Sequence, residues 1–120
     1  TVIDDAYNSN PAGARAALAV LKEFTGRRIL VTPGMVELGP EEDAFNRAFG
    51  KDMVGAVDQA VLIGHRHTEP IAEGLKEAGF DMNCVHRVSS LEESKATLAT
   101  LLAAGDTVLF ENDLPDNYQE

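Results

Sequence analysis

The sequence predicts an α/β fold: a Rossmann-like three-layer sandwich, with a mostly parallel sheet of about five or six strands and helices on both faces. Three observations predict it. Short apolar runs rich in β-branched residues recur along the chain, segments with helical spacing separate them, and glycines or prolines mark the boundaries. Alternating strand and helix implies parallel strands joined by right-handed crossovers. A chain of 120 residues amounts to one domain and is long enough to bury an ordinary core.

The first run, "TVID" (1–4), is a strand. The loop "DDAYNSNP" follows, in which Asn10 supplies an N-cap and Pro11 a first-turn proline. The helix they open places Ala14, Ala17, Leu18, Leu21 and Phe24 on one face, and Gly26 stands where it should end. "RILVT" (28–32) is the second strand, and Gly39 with Pro40 caps and opens a second helix facing inward through Ala44, Phe45, Ala48 and Phe49. "AVLIG" (60–64) is the third strand; a third helix uses Ile71, Leu75 and Ala78 and ends at Gly79. "CVHRV" (84–88) is the fourth strand, with Cys84 read as a small core residue and His86 as structural. A fourth helix carries Leu91, Leu98, Leu101 and Leu102 and stops at Gly105; "TVLF" (107–110) is the last strand. Runs this continuously apolar fit strands buried on both faces.

Charge and composition narrow the function. Twenty acidic residues against ten Lys and Arg leave a net charge of −10. Such a surface repels phosphate backbones and anionic membranes. No run of about 18 apolar residues exists to span a bilayer, and no signal-like start is present. The single cysteine excludes an internal disulfide and suits a reducing cytoplasm. Because Thr1 begins inside a strand, the chain is expected to be cut from a longer protein.

In open parallel sheets, ligands sit beyond the carboxyl ends of the strands. Four loops at that edge hold most of the conspicuous polar residues: "DDAYNSNP", "TPGMVELGPEED", "GHRHTEP" and "ENDLPDNYQE". The second has the glycine spacing of a phosphate loop from Gly34 to Glu41, but Pro40 and Glu41 stand where Lys and Ser or Thr are needed. Glu41, Glu42 and Asp43 in the first helical turn would repel a phosphate, so no triphosphate is cradled there; Glu37 remains a candidate polar contact. Asp4 and Asp5, adjacent on a strand, point to opposite faces and do not form an acid–base pair. A signalling receiver domain would need an Asp after the third strand and a Lys after the fifth; the chain has "LIGH" and "LFEN". His65, His67 and Glu69 alternate, but two histidines without a clear third ligand predict no metal site. The dinucleotide fingerprint G-x-G-x-x-G is absent.

The stretch "DDAYNSNP" resembles the DDxYNxNP motif that opens the carboxyl-terminal domain of the Mur ligases of MurF type. "GRRILVTPGMVELGPEE" is similar to that domain's next block, and "GDTVLFENDLPDNY" to its final strand, so the resemblance covers essentially the whole chain. It implies an ATP-dependent ligase of peptidoglycan precursor synthesis. One domain of such a ligase holds the UDP-linked muramoyl peptide and a central domain binds ATP and Mg²⁺. The last domain, residues 1–120 here, closes as a lid and positions the incoming amino acid or dipeptide for attack on an acyl-phosphate. Carried over by position, Asp5, Tyr7 and Asn8 would face the nucleotide, and Asp4 and Asn10 would shape the loop. Glu37, Asn112, Asp113 and Asp116 would be acceptor or interface residues. No catalytic residue falls in this domain alone, which is expected to be inactive by itself.

Two departures stand out. Pro33-Gly34-Met35 occupies the place of a usual G-D-M, and "ENDLPDNY" replaces a K-G-S-R-G-like segment. Glu111, Asp113 and Asp116 in place of basic residues turn the local field from anion-attracting to cation-attracting, which suggests an acceptor other than D-Ala-D-Ala. The competing readings are a folylpolyglutamate-synthase-like ligase domain and a stand-alone α/β binding or regulatory module.

Overall fold

The computed structural model describes residues 1–5, 10–36 and 38–111. Among these residues five strands form one sheet: β1 (Val2–Asp5), β2 (Arg28–Thr32), β3 (Gln59–Ile63), β4 (Val85–Val88) and β5 (Thr107–Glu111). Their order is β1-β5-β2-β3-β4, and every pairing is parallel. Helices α1 (Pro11–Lys22), α2 (Glu42–Met53), α3 (Glu69–Glu77) and α4 (Leu91–Leu101) connect them. The α/β fold read from the sequence is the fold observed.

Side chains alternate along each strand and divide the core in two. Leu30, Leu62 and Leu109 pack with α1, α2 and α3 on one face. Ile29, Val31, Val61, Ile63, Val88 and Val108 pack with Leu98 of α4 on the other. Helices therefore cover both faces, three against one. The double burial is why β2, β3 and β5, inside the sheet, read as nearly unbroken apolar runs. Removing Leu18 and Leu21 of α1 from water contributes roughly 1.5–3 kcal/mol each.

Helix α1 buries Ala14, Ala17, Leu18 and Leu21, the face its spacing predicts. Helix α2 differs from its prediction. Gly39–Glu41 forms a 3-10 turn, and the α-helix begins only at Glu42. Its buried residues are Asn46, Phe49, Gly50 and Met53, while Ala44 and Ala48 are exposed. The reason lies in the crossing with α3. A Cβ on Gly50 would stand 2.2 Å from the Ile71 carbonyl oxygen, and one on Gly74 2.1 Å from that of Arg47. The two backbones approach through glycine, so Asn46, Gly50 and Met53 join Phe49 on the buried face, in place of Ala44 and Ala48. Exposed ion pairs from Arg47 to Glu73 and Glu77, and from Lys51 to Glu77, bridge the same crossing. Exposed pairs of this kind add about 0–1 kcal/mol each.

Three smaller expectations are corrected. Cys84 is half-exposed in a 3-10 turn (Met82–Cys84) rather than inside β4, and its Sγ accepts a hydrogen bond from Gln59 Nε2. Leu102 lies past the end of α4 and is 46% exposed. Gly79 directly follows the cap of α3, whereas Gly26 and Gly105 sit in later turns. At the amino edge, Asp106 accepts from Arg27 at 2.7 Å and from the Ala103 amide at 2.9 Å, and Arg27 also donates to the Leu101 carbonyl.

Candidate functional site

The carboxyl ends of β1, β5 and β2 lie side by side, with Asp5 in register with Glu111. Thr32 ends β2 and Glu111 ends β5, each on the three-helix face by alternation from Leu30 and Leu109. Both are fully buried. The Thr32 hydroxyl donates to Glu111 Oε2 at 2.8 Å and accepts from the Gly34 amide at 3.0 Å. One short chain of hydrogen bonds thus joins the end of β5 to the loop after β2.

That loop is fixed from two other sides. Asn46 of α2 is buried; its Oδ1 accepts from the Met35 amide at 2.8 Å and its Nδ2 donates to the Met35 carbonyl at 2.9 Å. Gly34 has a φ of +86°, which favours glycine, and a Cβ there would stand 3.0 Å from the His67 carbonyl oxygen. The loops after β2 and β3 are therefore packed backbone to backbone. His67 Nδ1 lies 2.9 Å from Glu42 Oε2, adding a side-chain link between the same two connections.

Further along, the loop from Gly64 to Thr68 leads into α3. The Thr68 hydroxyl donates to the Gly64 carbonyl at 2.6 Å, and the Gly64 amide to that of Val88 at 2.7 Å. Arg87 of β4 donates to Glu69 Oε2 at 3.2 Å and to the Thr68 hydroxyl at 3.3 Å. His67 and Glu69 thus face different partners rather than one another. Among the described residues, no three His, Cys, Asp or Glu side chains gather as metal ligands. His86 bonds Gln59 at 2.8 Å within the sheet.

The N-termini of α1 and α2 are already occupied. Asn10 Oδ1 accepts from the Gly13 amide at 2.8 Å, capping α1, and Pro11 has no amide to offer. Glu42 and Asp43 fill the first turn of α2. The described residues therefore do not fit a triphosphate, nor a Mg²⁺ ion, which needs oxygen ligands gathered in one place.

Asp4 and Asp5 both belong to β1, and Asn10 caps α1. Tyr7, Asn8, Glu37, Asn112, Asp113 and Asp116 lie outside the described residues. Sequence reasoning missed Thr32 and Asn46 as elements of the edge. Each is a polar residue within an otherwise apolar or helical pattern, and its partner lies on another element.

Residues 1–111 match the family model of the Mur ligase, glutamate ligase domain. The chain is 31% identical over 106 residues to the UDP-N-acetylmuramoyl-tripeptide–D-alanyl-D-alanine ligase of Escherichia coli K12, covering 87% of this chain and 24% of that one. It is 32% identical over 117 residues to the ligase of the same name from Bacillus subtilis, covering 92% and 24%. Among solved structures it is similar to MurF from Acinetobacter baumannii, with a TM-score of 0.77, 25% identity and coverage of 93% of this chain and 25% of that one. MurF ligase from Thermotoga maritima, solved in complex with ADP, shares the fold at a TM-score of 0.75 and 24% identity, with coverage of 93% and 24%. The chain spans about a quarter of the length of the relatives it matches. With a parallel five-stranded sheet, a polar carboxyl edge and a family match from Thr1 to Glu111, the chain belongs to the Mur ligase family, at its carboxyl-terminal glutamate ligase domain.

Proposed function

We propose that this domain is the acceptor-positioning lid of an ATP-dependent amide ligase of peptidoglycan precursor synthesis, and forms the last part of a longer three-domain chain. The observation that carries the reading is the family match over residues 1–111, shared with relatives named for D-alanyl-D-alanine ligation. In this reading the rest of the chain holds ATP, Mg²⁺ and the UDP-linked muramoyl peptide. The division of labour accords with the capped start of α1 and the acidic first turn of α2. ADP in the Thermotoga relative supports a nucleotide in the family.

The work left to this domain is geometric. Asp5, Tyr7 and Asn8 face the nucleotide from outside, while Glu37, Asn112, Asp113 and Asp116 are acceptor or interface residues. Holding the amine against an activated carboxyl converts a bimolecular encounter into an intramolecular one. Closing the lid keeps water from an acyl-phosphate that it would hydrolyse. A loop clamped by Asn46, Thr32 and His67 is suited to that task, because a positioning surface must not deform when the amine docks. The test is to assay the full-length protein with ATP, UDP-muramoyl tripeptide and a panel of amines, beside the isolated domain. ATP-dependent amide formation by the full chain and none by the domain is the expected result. Turnover by the domain alone overturns it, and strict preference for D-Ala-D-Ala overturns the divergent-acceptor part.

A further inference from the structure

We infer that the outward face of α1 is an interdomain docking surface, which seats an apolar patch flanked by carboxylates elsewhere in the longer chain when the lid closes. The inference rests on the proposed ligase function and deepens it. Helix α1, "PAGARAALAVLK", is apolar nearly all round, and its charged residues are Arg15 and Lys22 alone. A chain with 20 acidic residues places none of them here. A surface helix ordinarily turns polar residues to solvent, whereas one that is apolar all round is covered. Helix α3 exposes Glu73, Lys76 and Glu77, and α4 exposes Glu92, Glu93 and Lys95. Helix α1 instead exposes Ala12, Ala16, Ala19 and Val20, the last of them 51% accessible.

The face continues into a groove of about 230 Å³ beside α1, bounded by Leu18, Ala19, Arg15, Lys22 and Asp52. Towards the carboxyl edge it is lined by Pro11, Met35, Phe45 and Ala48. Phe45 and Ala48 are thus the part of the apolar stripe of α2 that its own core leaves uncovered. Arg15 and Lys22 stand about 10 Å apart along the helix. Neither is in an ion pair among the described residues, whereas Arg47, Lys51 and Lys95 each meet a carboxylate. The complementary surface is therefore apolar and carries acids.

Size and place select the occupant. A helix of 12 residues presents a strip roughly 18 Å long and about 10 Å wide. That is well short of the ~800 Å² per partner of a stable dimer, and a two-fold contact would set the cations of two copies against each other. A bilayer is disfavoured by the net charge of −10. A strip this small suits one part of a contact that forms and releases at every turnover. It also begins at the carboxyl edge, where Pro11 opens α1 after Asp5 has ended β1. A nucleotide-holding domain must approach that edge.

The test uses the full-length protein, with p-benzoylphenylalanine in place of Ala16. It is irradiated with a non-hydrolysable ATP analogue and UDP-muramoyl tripeptide, and the crosslinks are mapped by mass spectrometry. The expected product is an intramolecular crosslink to an acid-bearing segment outside residues 1–120, stronger with ligands than without. In parallel, R15E/A19E should lower kcat/KM for amide formation on the order of tenfold at low salt, with the melting temperature unchanged and the gap closing as salt rises. The same kind of change on α4, A96E/A99E, should leave kcat/KM near that of the unaltered enzyme. If R15E/A19E does not fold, the crosslink decides. A crosslink to a second copy or to residues 112–120 gives the face another occupant and overturns the inference. So does the absence of any crosslink, or an equal loss in A96E/A99E. Each of those outcomes leaves the ligase function standing, whereas no amide formation by the unaltered enzyme with any amine removes the ligase reading itself.

Discussion

Asn46 takes both backbone polar groups of Met35, accepting from the amide at 2.8 Å and donating to the carbonyl at 2.9 Å, entirely out of solvent. A side-chain amide here does what a neighbouring strand would do, because its donor and acceptor match those of a peptide unit. It gives an irregular segment the hydrogen bonds that its burial demands.

Asn46→Ala strands both groups at once. Each buried, unpaired backbone group costs about 1–3 kcal/mol, so a loss of roughly 2–6 kcal/mol is expected in urea denaturation. Asn46→Asp keeps the acceptor but buries a carboxylate against the Met35 carbonyl, so it should cost at least as much as the alanine variant. A loss under about 0.5 kcal/mol for the alanine variant, the range of ordinary surface changes, would show that the loop does not depend on this clamp.

Gly50→Ala and Gly74→Ala test the crossing of α2 and α3. In an exposed helix the change to alanine would stabilise by about 1 kcal/mol. Here the added carbon meets a carbonyl at 2.2 or 2.1 Å, so the helices must separate. Overpacking of this kind costs about 1–3 kcal/mol and occasionally more, and the sign of the change should reverse. Thermal melts of both variants decide it: a rise in Tm would contradict the close approach.

The Arg27–Asp106 pair makes a pH-dependent prediction. Its hydrogen bond with Arg27, followed by that from the Ala103 amide, holds the Asp106 carboxyl below the usual carboxylate range. A depressed folded-state pKa stabilises at pH values above the unfolded one, near 3.9, and that stability is lost as pH falls through the folded value. Asp106→Asn should therefore be less stable than the unaltered protein at pH 7, with the gap closing below about pH 4. A gap that stays constant from pH 7 to pH 2 would rule out the ionised carboxylate as its source.

Asn10→Ala should lower stability by about 1 kcal/mol through loss of the α1 cap, and Asn10→Ser or Asn10→Asp should restore most of it. Full-length kinetics separate the cap from any nucleotide contact. If Asn10 acts only as a cap, the serine variant also restores the KM for ATP.

Much of this architecture is legible in the chain. The central strands β2, β3 and β5 are, because burial on both faces keeps their interiors apolar, and the edge strands β1 and β4 are through shorter β-branched runs; α1 is, because leucine and alanine recur at helical spacing. The inward face of α2 is not, since Gly50 and Asn46 carry no apolar signal, while Ala44 and Ala48 carry a misleading one. The carboxyl edge was legible as a place through its polar loops. Its internal wiring was not. Thr32 and Glu111 are 79 residues apart, and only the insertion of β5 beside β2 brings them together.

That insertion has a consequence for how the protein comes into being. Strand β1 pairs with β5, and β5 with β2; β1 has no described pairing with β2. During synthesis the first strand must therefore wait, unpaired, until almost the whole sequence has left the ribosome. At roughly 5–20 residues per second that interval lasts several seconds. Residues 28–88 can assemble β2, β3 and β4 meanwhile, leaving an open seam that the last strand closes. A nascent chain stalled before Thr107 should be sensitive to protease around Val2–Asp5, and one released after Glu111 resistant.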